Sequence, residues 1–213
     1  VLTMLDLAGV GLKSAERGEG HPLVVGGDAL ADSPEPFAPF FDVLIAGDGE
    51  SPLAALVELV RRAKRDRLPR ERTLLEAART IEGAYVPRFY QPQARDDGAT
   101  ELRPLRPDVP SAVRRACVRN LADSPALDRP LVPLAEGVHD RVTIEIMRGC
   151  PNACRFCQAG AVRLPVRWRP VDEILAAARQ AVAATGYDEI SLLSLSTSDY
   201  PRLDELIARL NTE

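Results

Sequence analysis

The chain has 213 residues, a formal net charge of −4, and is 46% apolar but only 5% aromatic. That length fits one large domain or two small ones, and the apolar share is enough for a core, which excludes a disordered or fibrous chain. The charge gives no global electrostatic case for nucleic acid, and no run approaches the ~18 apolar residues of a membrane-spanning helix. The start, Val1-Leu2-Thr3-Met4, has neither the basic nor the long apolar region of a secretory signal.

The first third alternates strand and helix. Val1–Ala8 reads as the end of a helix stopped by Gly9 and Gly11. Pro22–Gly27 and Asp42–Gly47 are short apolar runs ending in glycine, as buried parallel strands do. Ser51 is the expected N-cap and Pro52 the first residue of a helix with Leu53, Leu56, Val57, Leu59 and Val60 on one face. Strand, glycine turn and helix make the unit of an open parallel sheet. The run 61–72 holds seven cations against two carboxylates. It reads as a solvated helix end rather than an RNA contact, because no aromatic residues interleave it.

Residues 81–140 carry eight of the 18 prolines. Tyr85–Tyr90 and Thr100–Leu105 flank Asp96-Asp97-Gly98, a hairpin signal. Ser111–Asn120 is a candidate further strand, and the remainder is extended linker. The last third alternates again: a strand over Arg141–Met147, a cysteine loop, a helix from Pro170 to about Ala184 stopped by Gly186, a strand over Glu189–Ser194 and a helix over Pro201–Leu210. These are two β/α units of a barrel or of a doubly wound sheet.

Of four cysteines, three crowd into eight residues, Cys150, Cys154 and Cys157, and Cys117 stands apart as a structural thiol. Such clustering fits a reducing cytoplasm and a metal or cluster site better than a disulfide framework. Thiolates select zinc, Cu(I) or iron–sulfur clusters. A closed zinc site and a ferredoxin cluster each want four ligands, and His139, the histidine next in reach, lies eleven residues before Cys150. Three thiolates on one loop leave one coordination position for something else.

The segment Arg148-Gly-Cys-Pro-Asn-Ala-Cys-Arg-Phe-Cys-Gln-Ala-Gly160, with Arg163–Arg169 and Ser191–Tyr200, resembles the radical S-adenosylmethionine (SAM) superfamily, in particular a group with an N-terminal cobalamin-binding-like domain. The resemblance implies that Cys150, Cys154 and Cys157 hold a [4Fe–4S] cluster whose unique iron is chelated by SAM, so that a 5′-deoxyadenosyl radical can be generated. It implies that Phe156 seats the adenine, and that Ser194, Leu195 and Ser196 meet the methionyl end in place of a Gly-Gly-Glu turn. No residue is assigned a catalytic role. Arg148, Arg155 and Arg163 are candidates to balance the cluster's charge.

The division this implies is 1–68, part of a cobalamin-binding-like α/β domain; 69–140, a connector with a β-hairpin; and 141–213, the start of a radical SAM partial TIM barrel. Cobalamin itself has no support in the chain: His21 and His139 do not stand in an Asp-x-His-x-x-Gly signature. Only 63 residues follow Cys150, against ~250 in a full barrel, so the chain is expected to be an internal piece, inactive alone, of an active parent. Expected partners are a one-electron reductant of the flavodoxin or ferredoxin type and an unknown substrate, RNA or protein, with no membrane. The alternatives are an iron–sulfur electron-transfer module without SAM chemistry and a zinc-stabilised nucleic-acid module.

Overall fold

A computed structural model describes residues 1–135 and 137–212. It is a mixed α/β structure divided into two compact units, Val1–Cys117 and Val118–Glu213.

The first unit starts with α1 (Leu2–Leu7), continues through β1 (Val25–Gly27), α2 (Ala29–Asp32), β2 (Val43–Ile45), α3 (Glu50–Asp66), α4 (Arg70–Thr80) and β3 (Ala84–Tyr85), and ends in a hairpin, β4 (Tyr90–Ala94) and β5 (Thr100–Pro104). Strand β2 is central, parallel to β1 with Val25 opposite Val43 and antiparallel to β3 with Ile45 opposite Ala84. The sheet is therefore mixed, where the sequence suggested a purely parallel one. Two helices in succession separate β2 from β3, so the chain re-enters from the opposite end. Val43, Leu44, Leu74 and Val86 are fully enclosed at the centre of this core.

Helix α3 begins one residue after its cap Gly49, ahead of the expected Ser51 cap. Pro52 fits there because the first four N–H groups of a helix have no intrahelical acceptor. The helix buries Leu56, Leu59 and Ala63. Leu53 and Val57, expected on the same buried face, are 49% and 47% exposed and line an open cavity together with Leu23, Val25 and Val60. The basic run is largely engaged in ion pairs: Arg61 with Glu58, Arg62 with Glu76, Arg65 with Asp66, and Arg70 with buried Asp42.

Asp42 organises the irregular segment before β1. Its Oδ1 accepts from the Ser14 hydroxyl at 3.1 Å. Its Oδ2 accepts from Arg17 Nε at 3.0 Å and Val24 N at 2.8 Å and forms an ion pair with Arg70 Nη2 at 2.9 Å. The two guanidinium groups then donate onward to the carbonyls of Gly11, Phe40, His21 and Pro22. Nearby, Tyr85 donates its hydroxyl to Glu35 at 2.6 Å. Burial first, and the Glu35 carboxylate second, push that phenol far above its ordinary pKa.

Tyr85 pairs with β2 rather than with the hairpin expected from its apolar run. The run is split by a 3₁₀ turn at Pro87–Phe89, and the hairpin starts only at Tyr90, pairing with Pro104. Gly98, at φ 81°, turns the hairpin, and Asp97 accepts from the Ala99 amide. Ser111–Asn120 forms no strand beyond a single parallel bridge between Gly47 and Ala116. Gly47 has φ 98°, and a Cβ there would lie 2.1 Å from the Ala116 carbonyl oxygen, so only glycine permits this approach.

In the second unit, β6 (Val142–Glu145) is followed by β7 (Met147–Arg148), α5 (Ala159–Val162), β8 (Arg167–Trp168), α6 (Val171–Thr185), β9 (Ile190–Leu193) and α7 (Leu203–Leu210). Strands β6 and β9 pair in parallel, from Val142 opposite Ile190 to Glu145 opposite Leu193. The crossover helix α6 buries Val171, Ile174, Leu175, Ala178 and Ala181 and ends at Gly186 in the left-handed region, the usual glycine stop. The expected single strand over Arg141–Met147 changes partner at Ile146: its amide donates to Leu193, its carbonyl accepts from Arg169, and β7 then runs antiparallel to β8.

Residues 125–135 and 137–140 contain no helix or strand, and Leu131, Leu134 and Val138 are exposed. Backbone without ladder hydrogen bonds is what proteases reach first. Limited proteolysis should therefore cut within 91–140 before it cuts 20–60. Mapping the first cleavage sites by mass spectrometry checks this; first cuts inside 20–60 would contradict it.

Candidate metal centre

The cysteine loop hangs from the two-residue ladder of β7 and β8, which closes its base by pairing Met147 with Trp168 and Arg148 with Arg167. Two glycines shape it. Gly149 has φ 89°, and a Cβ there would come within 2.6 Å of the Arg163 carbonyl oxygen and 2.9 Å of that of Pro165. A Cβ on Gly160 would lie 2.3 Å from the Asn152 carbonyl oxygen. The loop thus folds back on its own backbone at both ends, and the motif's glycines mark contacts with no room for a side chain.

All three loop cysteines are free thiols. Cys150 is buried at 9% exposure, whereas Cys154 and Cys157 are exposed and joined by a turn in which the Cys157 amide donates to the Cys154 carbonyl at 3.0 Å. Among the described residues no three His, Cys, Asp or Glu side chains form a ready-made metal-ion site. Cys117 is half-buried in the first unit. Arg148 donates twice to Glu145, at 2.9 and 2.8 Å, so its charge is matched within the fold.

Of the residues expected at the organic cofactor, Phe156 is 93% exposed at the tip of the loop. Leu195 is exposed, and the Ser194 hydroxyl is shared with Thr197 at 2.8 Å. Ser196 is brought to the cysteine loop. The Asn152 amide donates to Asp199 Oδ2 at 2.6 Å and lies 3.4 Å from Ser196 Oγ and 3.7 Å from Cys150 Sγ. Ser196 itself donates to the same Asp199 oxygen at 2.6 Å. Hydrogen bonds from Ser196 and then Asn152 hold the Asp199 carboxyl below its usual range. Asn152 and Asp199 escaped the sequence reading as functional residues. The available signal was an amide side chain between two cysteines of the motif.

The arrangement places three free thiols on a loop at the end of a strand that has a parallel neighbour, with the turn after that neighbour fastened to the loop. Family comparison agrees: a model described as "Radical SAM superfamily" matches residues 144–213, and one described as "Radical SAM proteins, N-terminal" matches residues 1–87. The chain belongs to the radical SAM superfamily.

Among curated proteins it is 38% identical over 63 residues to an uncharacterised protein of Methanocaldococcus jannaschii, a stretch covering 30% of this chain and 14% of that protein. It is 30% identical over 114 residues to the ribosomal protein uS12 methylthiotransferase RimO of Myxococcus xanthus, covering 45% and 24%. It is also 40% identical over 57 residues to the tRNA-2-methylthio-N(6)-dimethylallyladenosine synthase of Sorangium cellulosum, covering 27% and 11%. The chain spans less than a quarter of the length of each of these relatives.

Proposed function

We propose that this chain carries the cluster- and SAM-binding part of a radical SAM enzyme, with Cys150, Cys154 and Cys157 as the ligands of a [4Fe–4S] cluster. The observation that carries the reading is the loop itself: three free thiols at spacings of four and three residues on a loop closed by β7 and β8. The donor set fits. Thiolates suit iron–sulfur clusters, and a cubane presents a separate iron to each thiolate, so the three sulfurs need not converge on one point as a single zinc ion requires. When bound, such a cluster with SAM supplies one-electron cleavage of the sulfonium carbon–sulfur bond and a 5′-deoxyadenosyl radical that takes hydrogen from a substrate.

The chain's own residues seat and orient these groups. Phe156 offers a ring and backbone for the adenine, and the turn Ser194-Leu195-Ser196 offers hydroxyls and amides to the methionyl end. The two parallel β/α units are read as the beginning of a partial TIM barrel. The first unit is read as part of a cobalamin-binding-like domain over residues 1–68, with 69–140 as connector; cobalamin is not part of the proposal, since no residue of this chain supports it. A low-potential protein reductant and a macromolecular substrate, RNA or protein, complete the proposal. The relatives named for ribosomal protein uS12 and for tRNA support that class. A reducing, cytoplasmic setting suits three free thiols. Among the described residues no helix is long and apolar enough to cross a membrane.

Anaerobic reconstitution tests the reading. Replacing any one of Cys150, Cys154 or Cys157 by Ala should remove most of the bound iron and the brown absorbance, while Cys117→Ala should leave both. Adding SAM to the reduced protein should change the cluster's EPR spectrum. Iron loading with no response to SAM would favour the electron-transfer module, and a colourless, zinc-loaded protein would favour the zinc alternative.

A further inference from the structure

We propose that Asn152 is a positioning residue that presents an N–H donor to the sulfur of Cys150, and that Asp199, 47 residues on in sequence, fixes which end of the amide faces that sulfur. The proposal rests on the cluster assignment above. An asparagine amide has a donor end and an acceptor end of nearly the same shape. An ionised carboxylate only accepts, so the 2.6 Å contact with Asp199 Oδ2 holds the donor end toward Asp199. The same nitrogen lies 3.7 Å from Cys150 Sγ. Without Asp199 only the longer 3.4 Å contact with Ser196 Oγ opposes a turn of the amide that would bring its carbonyl oxygen toward the thiolate. Ser196, which donates to the same carboxylate oxygen at 2.6 Å, keeps Asp199 in place. Asn152 and Asp199 are both exposed, so the contact does little for stability and its consequence lies in orientation.

Hydrogen bonds to the sulfurs help set the potential of an iron–sulfur cluster. A donor at Cys150 stabilises the extra negative charge of the reduced state and so raises the potential, which makes the first electron easier to deliver. Asp199 opposes this through its own charge, and the two effects therefore differ in sign.

The test is a redox titration of the reconstituted chain, followed by absorbance and EPR, on the wild type, Asn152→Ala, Asp199→Leu and the double variant, each with its iron content measured. Asn152→Ala should lower the potential. Asp199→Leu removes the acceptor together with its negative charge; loss of the charge alone would raise the potential, and it is expected to lower it instead, because the amide loses its orientation. In the Asn152→Ala background, Asp199→Leu should no longer lower it. A raised or unchanged potential in Asp199→Leu overturns the proposal. So does loss of iron from this variant of similar size, which would make the contact a structural brace. A wild-type chain that loads no cluster takes the parent reading down with it, whereas a loaded wild type whose potential ignores both substitutions fails the proposal alone.

Discussion

Asp42→Ala is expected to destabilise the first unit by about 3–5 kcal/mol, the cost of removing one partner of a buried ion pair. The carboxylate is 1% exposed and lies against two guanidinium groups, those of Arg17 and Arg70. Once it is gone, both cations stay buried among backbone carbonyls with no anion between them, and the Ser14 hydroxyl and Val24 amide lose their acceptor. Neither arginine can shed its proton to escape. An exposed pair of the same chemistry, Arg202 with Glu205, contributes at most ~1 kcal/mol. Urea denaturation combined with amide exchange at residues 43–45 separates the two cases. Asp42→Ala should speed exchange there roughly a hundredfold or more, and Arg202→Ala should barely change it. A loss under ~1 kcal/mol for Asp42→Ala would mean that the network is satisfied another way.

The difference between these two ion pairs also marks what the sequence reveals and what it hides. Asp42 was legible only as the residue before an apolar run, and Arg70 only as one cation in a basic stretch. Nothing local says that the two meet, because their contact depends on how the irregular segment 11–24 wraps the sheet. Elements governed by local chemistry were readable. The helix Val171–Thr185, with acidic residues in its first turn and Gly186 at its end, follows from its own periodicity. The turn at Gly98 follows from Asp96-Asp97-Gly98.

Where a residue's pairing depends on a distant segment, the reading fell short. Tyr85 is drawn from the expected hairpin to β2 because Pro87 breaks its run, and Ser111–Asn120 keeps one bridge instead of a ladder. At the candidate site the thiols were legible from spacing, since ligand chemistry restricts residue type. Asn152 and Asp199 were not, because an amide and a carboxylate are ordinary loop residues until a fold brings them together.

The glycines of the cysteine loop lie between these extremes, and on the proposed cluster assignment Gly160→Ala is expected to cost the reconstituted site most of its iron while sparing the core beneath it. Gly160 is the second residue of the short helix Ala159–Val162, where alanine would ordinarily be the better residue by up to ~1 kcal/mol. Here a methyl group would stand 2.3 Å from the Asn152 carbonyl oxygen and 3.3 Å from its carbonyl carbon. Those are backbone atoms, which cannot swing aside as a side-chain end can. The strain must go either into the backbone, at about 1–3 kcal/mol for a residue forced from its preferred geometry, or into displacing 150–154, which carries two of the three thiols. Metal binding and loop folding draw on the same free energy, so ~2 kcal/mol of strain translates into roughly 30-fold weaker cluster retention.

The second core, built on Val142, Ile144, Ile174 and Leu206, does not include this loop, and thermal unfolding of the metal-free protein should be nearly unchanged. Gly149→Ala should behave alike, with the added cost of alanine at φ 89°. The measurement is iron retained after gel filtration of reconstituted protein, set beside the unfolding temperature of the apo form. Full retention by Gly160→Ala would show that the loop has slack to accommodate a methyl group. An apo protein already unfolded by the substitution would show that the loop is part of the core rather than suspended from it.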